Sequence, residues 1–169
     1  KIEKVKPSIS PSMDIQVSSN FERALFDIYD QNSKLVCKLM HSLKSTKEFE
    51  LSAVETKLLQ DVFESGTSSE DETSATILSV YQDTGMLLCP HSAIGVKVAL
   101  EKGKDHDIPM IILATAAAAK FPDAVRNACG VSPELPNRMS DLLERVERFK
   151  KVPNNLDQIK KIIIKGIDI

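Results

Sequence analysis

The chain has 169 residues, 42% hydrophobic and 27% charged, with a formal net charge of −2. That is enough for one globular domain with a proper core, and the absence of a basic stripe interleaved with aromatics argues against nucleic acid as a partner. No apolar run approaches the roughly 18 residues of a membrane span and nothing resembles a signal peptide, so no membrane partner is expected either.

Taken in chain order, the first ten residues, "KIEKVKPSIS", carry no initiating Met and no helix or strand signal until about Ile9. They read as the interior of a longer protein. A helix is expected from about Asn20 to Leu43, with Phe21, Ala24, Leu25 and Ile28 on one face. Val36, Leu39, Met40 and Leu43 continue that face after the polar break Gln31-Asn32-Ser33. Ser19 with Glu22, Ser52 with Glu55, Ser69 with Glu72 and Asn155 with Gln158 each fit a helix cap with Glu or Gln three residues later. Gly66, Gly85 and Gly103 stand where a helix end tolerates positive φ. A second helix carries Val54, Leu58 and Val62, and a third carries Ile77, Leu78 and Tyr81 behind the acidic "SSEDETS".

Then the texture changes. "GMLLC" (85–89) is a short apolar run stopped by Pro90, "HSAIGVKVALEKG" reads as a buried helix, and "IPMIILA" (108–114) reads as an interior strand. "AAAKFPDAVRNACG" reads as another helix, with Pro122 delaying its start. Strand, helix, strand, helix at this spacing predicts a βαβ unit with parallel strands. Two amphipathic helices should follow, one lined by Met139, Leu142, Leu143, Val146 and Phe149, the other by Leu156, Ile159, Ile162 and Ile163. The fold class expected is therefore α/β: a partial parallel sheet with flanking helices over 7–128 and a helical tail over 131–169, with further strands preceding Lys1.

In an open parallel sheet, ligands bind beyond the carboxyl ends of the strands. That rule selects Pro90-His91-Ser92 and the turn from Thr115 to Lys120, where a hydroxyl ends a buried run and four alanines of almost no reach follow. A third candidate is "SPSMDIQVSSNFER", where Ser18, Ser19 and Asn20 open a helix whose free N–H groups suit an anion, with Arg23 one turn in. Each has a plainer reading. Ser19 and Asn20 serve equally as caps, His91 as a structural histidine and Lys120 as a solvated one. Cys37 with His41, and Cys89 with His91, fall short of the three or four ligands of a metal site. Cys37, Cys89 and Cys129 are odd in number and far apart, which fits a reducing, cytoplasmic setting better than a disulfide framework.

Three stretches, "SPSMDIQVSSNFERALF", "PHSAIGVKVAL" and "LATAAAAKFPDAV", together resemble the carboxyl-terminal part of the threonine synthase family, in that family's order and approximate spacing. The resemblance implies part of a pyridoxal 5′-phosphate (PLP) enzyme of the tryptophan-synthase-like fold (fold type II). Such an enzyme, a lyase, converts O-phospho-L-homoserine and water to L-threonine and inorganic phosphate, the last step of threonine biosynthesis. It implies that Thr115 meets the pyridine nitrogen of the cofactor, and that Ser18, Asn20, Arg23, His91, Ser92 and Lys120 face the substrate. The family's Ser-Phe-Lys-Asp motif, which carries the Schiff-base lysine, and its Gly-Asn-Phe-Gly phosphate loop do not occur in these 169 residues. The missing amino-terminal part of the same protein is thus an expected partner, and the fragment is expected to be inactive alone. One departure stands out: Ala117 and Ala118 occupy positions where the family has His and Pro. That departure motivates an alternative, a catalytically silent relative that keeps the fold and binds. A free-standing α/β module is a third reading, resting on the helix and strand pattern alone.

Overall fold

The computed structural model describes residues 1–103 and 107–167. Its backbone separates into two compact units, Lys1–Glu134 and Leu135–Ile169.

In the first unit, α1 (Phe21–Ile28) and α2 (Ser33–Thr46) replace the single long helix read from the sequence. The polar break is the cause: Asp30 and Gln31 turn to positive φ, and the Asn32 side chain accepts the N–H groups of Lys34 and Leu35, so the second helix starts afresh. The expected cap at Ser19 gives way to Asn20, whose side chain makes no capping bond. Helices α3 (Ala53–Gln60) and α4 (Glu70–Thr84) both open on complete capping boxes, Ser52 with Glu55 and Ser69 with Glu72, as their sequences predict. Gly85 ends α4 in the left-handed region at φ 73°, whereas Gly103 closes α5 (Pro90–Lys102) at an ordinary negative φ. Gly66 caps nothing. It lies where the link from α3 to α4 crosses α5, and a Cβ there would stand 2.8 Å from Val98 Cγ1.

The core is helical. Helix α4 packs against both α5 and α6 (Pro122–Cys129), and Ile77, Ala93 and Val125, all fully buried, meet Leu88 between them. Pro122 does start α6 late, after a single turn at Ala118–Lys120.

The expected partial parallel sheet is not there: the described residues contain no strand. Both candidate runs are used otherwise. Leu88 and Cys89 of "GMLLC" are buried among the helices, so this run serves as a link between α4 and α5 and offers no edge for pairing. The "IPMIILA" run is extended, but among the described residues none of its backbone groups joins a ladder. Without a neighbouring strand it stays open, with Ile111 82% and Leu113 79% exposed.

In the second unit, α7 (Leu156–Ile167) forms as expected, with the Asn155 side chain accepting the Gln158 N–H at 3.1 Å. The helix expected from Met139 to Phe149 is reduced to one turn at Asn137–Met139 and further turns, with Leu143, Val146 and Phe149 exposed. An isolated amphipathic stretch of this length is marginal until its apolar stripe is packed.

Candidate functional site

Helix α5 begins on an unusual cap. Cys89 holds the N-cap position, Pro90 follows with φ already set for a helix, and the Ser92 N–H points at Cys89 Sγ, 3.4 Å away. His91 and Ser92 are thereby fixed on the first turn, both buried.

The turn after the extended run docks on this corner. The Thr115 N–H donates to Ser92 Oγ at 3.1 Å, and the Thr115 hydroxyl lies 3.4 Å from Ser92 Oγ and 3.9 Å from Cys89 Sγ. Residues 23 positions apart are thus joined through a side chain, with no sheet between them. Small residues follow Thr115, so its hydroxyl sits on a wall with little side chain projecting past it.

From the other side comes the loop Ser8–Asp14. It is closed on itself by Asp14, whose carboxylate accepts the Ser8 N–H and hydroxyl at 2.7 Å each. The Ser12 N–H then donates to His91 Nε2 at 3.0 Å, which leaves the neutral ring its proton on Nδ1. That Nδ1 is buried and has no partner among the described residues. The imidazole also leans on Phe121, with ring centroids 4.5 Å apart. Burial, the largest influence, and nearby Lys120 push the His91 pKa down, against an upward pull from Asp14.

A cleft of about 850 Å³ opens beside these groups, with His91, Thr115 and Lys120 on its wall together with Ser12, Phe121 and the apolar run 110–113. Its walls are largely apolar, and the Thr115 hydroxyl on them is able to meet a ring nitrogen. Ser92 stands behind Thr115, through which it acts. Lys120 is exposed at the edge. Among the described residues, no three His, Cys, Asp or Glu side chains gather as a metal would require, and no helix is long and apolar enough to cross a membrane.

Ser18, Asn20 and Arg23 are not in this cleft. They line a second one, of about 680 Å³, between α1, α3 and the segment that follows α3, and Glu64 borders both. The candidates therefore fall into two neighbouring groups rather than a single rim.

Sequence reasoning weighed Cys89 only as a metal ligand and did not single out Ser12 or Phe121. A cysteine directly before Pro90 was a usable sign, because proline at the first helical position makes its predecessor the cap. Ser12 gave none: its backbone contact with His91 spans 79 residues.

With this geometry in hand, comparison with known proteins is informative. Residues 92–163 match the family described as threonine synthase, C-terminal. The chain is similar to a threonine synthase of Pseudomonas aeruginosa, 42% identical over 158 residues, which are 93% of this chain and 34% of that protein. Among solved structures it is similar to a PLP-bound threonine synthase from Brucella melitensis, with 47% identity and a TM-score of 0.86, covering 96% of this chain and 35% of that one. The yeast threonine synthase is also similar, with 28% identity and a TM-score of 0.81, over 98% of this chain and 37% of that one. The chain spans about a third of the length of the curated relative it matches.

Proposed function

We propose that this chain, which belongs to the threonine synthase family, forms one wall of the active site of a PLP-dependent threonine synthase. The complete enzyme converts O-phospho-L-homoserine and water to L-threonine and inorganic phosphate, in the cytoplasm, where three free cysteines suit a reducing medium. When bound, PLP acts as an electron sink for carbanions on the substrate.

The observation that carries this reading is the Thr115 hydroxyl, anchored by Ser92 on the wall of an apolar cleft. A hydroxyl there meets the pyridine nitrogen without forcing it to carry a proton, as a carboxylate would. Gly95 and Ala116 leave the wall low enough for a ring to lie against it. His91 lies on the same wall, and its buried Nδ1–H has no partner among the described residues. Lys120 adds an exposed positive charge that attracts the substrate phosphate. In the neighbouring cleft, Ser18, Asn20 and Arg23 supply a hydroxyl, an amide and a guanidinium, a set suited to the anionic end of the substrate. That the Asn20 side chain is not spent on capping supports this use.

The rest of the same protein is the partner. It supplies the Schiff-base lysine and the phosphate loop and covers the open run 108–114, whose exposed Ile111 and Leu113 are otherwise costly in water.

Ala117 and Ala118 favour a second reading, a binding protein that retains the cleft without turnover. Phosphate release from O-phosphohomoserine by the full-length protein separates the two. Release that requires added PLP supports the synthase. A folded protein that binds PLP and releases nothing supports the binding protein.

A further inference from the structure

Cys89 is a buried thiol that the proposed reaction leaves idle. It is 1% exposed, and its sulfur lies 3.2 Å from Ser92 Oγ at the amino end of a 13-residue helix. Ser92 Oγ already accepts the Thr115 N–H, which leaves it one lone pair and one hydrogen to place. Two arrangements satisfy the three side chains. With Cys89 as a thiol, S–H donates to Ser92, Ser92 O–H donates to Thr115, and the Thr115 hydrogen is free to point into the cleft. With Cys89 as a thiolate, Ser92 and Thr115 both turn their hydrogens to sulfur, and Thr115 faces the cleft with lone pairs only.

We propose that Cys89 is a positioning residue that sets, through Ser92, whether Thr115 offers the cleft a proton or a lone pair, and so whether a basic aromatic nitrogen bound there is protonated. This rests on the reading that Thr115 meets the PLP ring nitrogen. The step balances without an oxidant or reductant. The S–H bond breaks and an N–H bond forms, while each intervening hydroxyl gives one proton and takes one. Sulfur keeps the electron pair as thiolate, and the nitrogen gains the positive charge.

Independent of the cysteine, the neighbouring His91 lines the cleft and keeps a buried Nδ1–H without a partner among the described residues, on a side chain only 7% exposed. The thiolate is sustainable. Burial pushes the Cys89 thiol up most strongly, yet hydrogen bonds from the Ser92 hydroxyl and N–H, the Thr115 hydroxyl and the His91 N–H together bring it below its ordinary value. The positive end of the helix dipole acts in the same direction. The ionisable groups around this corner are His91 on α5, Lys120 on the following turn, Asp14 on the Ser8–Asp14 loop and Cys129 of α6, which packs against the core cluster containing Ala93.

The test uses the full-length protein. Visible absorbance of bound PLP is followed across pH in the wild type, Cys89→Ser and Thr115→Val, alongside ultraviolet thiolate absorbance read as the difference between wild type and Cys89→Ser. The wild type should show a band change, the loss of the nitrogen's proton, at a higher pH than thiolate formation, because the thiolate stabilises the protonated nitrogen and the pair titrates in two steps. In Cys89→Ser, which keeps a capping side chain, that midpoint should vanish or move by about one pH unit or more, a tenfold change in proton affinity. PLP should also lower the midpoint of thiolate formation in the wild type, because a proton-accepting nitrogen and a proton-losing thiol are linked. An unchanged thiol midpoint on adding PLP overturns the inference without recourse to any variant. If Thr115→Val alters the band while Cys89→Ser leaves the transition in place, the inference falls and the cofactor reading stands. If Thr115→Val leaves both affinity and band unchanged, the cofactor reading falls first.

Discussion

Ser92→Ala should loosen the corner on which the site is built. Ser92 Oγ is the acceptor for the Thr115 N–H at 3.1 Å, across 23 residues of sequence. Removing it leaves a partly buried amide unpaired, at a cost of about 1–3 kcal/mol. Ala is the better helix former by a few tenths of a kcal/mol on the first turn of α5, which offsets a little of that. The net loss expected is about 1–2 kcal/mol, a factor of roughly 5–30 in the population of the undocked turn. Amide hydrogen exchange at Thr115 in the full-length protein reads that factor directly, with the Val125 amide in the α6 core as an internal control. Acceleration at Thr115 with Val125 little changed is the expected pattern. Thr115 exchange identical to the wild type would refute the docking argument, because the turn would then be held by something other than Ser92.

Two further outcomes follow from other parts of the unit. Gly66→Ala should lower Tm, because its Cβ would come 2.8 Å from Val98 Cγ1 and 3.0 Å from Cγ2, and a β-branched side chain has few rotamers in a helix to escape into. A loss of about 1–3 kcal/mol is expected from such overpacking, and an unchanged Tm would mean the crossing over α5 is not close. His91 should make stability depend on pH with a definite sign. Its folded-state pKa is lowered, by burial first and Lys120 next against Asp14, so the unfolded chain takes up the proton first. The contribution is intact above the ordinary value of about 6.5 and is lost as pH falls through the folded value. The denaturation midpoint should therefore fall from about pH 7 to about pH 5, and less steeply in His91→Gln.

What the sequence disclosed and what it hid divide along a physical line. Local signals were legible: the capping boxes at Ser52 and Ser69, the proline start of α6 and the glycine end of α4 are all decided within four residues. So was the pairing of His91 and Thr115 on one cleft, although the reason first given for it, two parallel strands, is wrong. The two segments meet through the Ser92 hydroxyl, a contact no periodicity encodes. The strand at 108–114 was misread because pairing needs a neighbour that an apolar run cannot itself specify, and without one its side chains stand exposed. The missing helix over Met139–Phe149 is the same lesson in helical form. Ser18, Asn20 and Arg23 were correctly seen as a polar group at a helix start. Their lining of a separate cleft depends on how α1 meets α3, which lies beyond any local pattern.

The central claim is that the wall formed by α5 and the Thr115 turn receives the cofactor ring. A crystal structure of the full-length protein with PLP tests this most directly. The account predicts the ring nitrogen within hydrogen-bonding distance of the Thr115 hydroxyl, with His91 at the rim of the same cleft. A ring bound with its nitrogen facing another group, and Thr115 left without contact to it, would contradict the account.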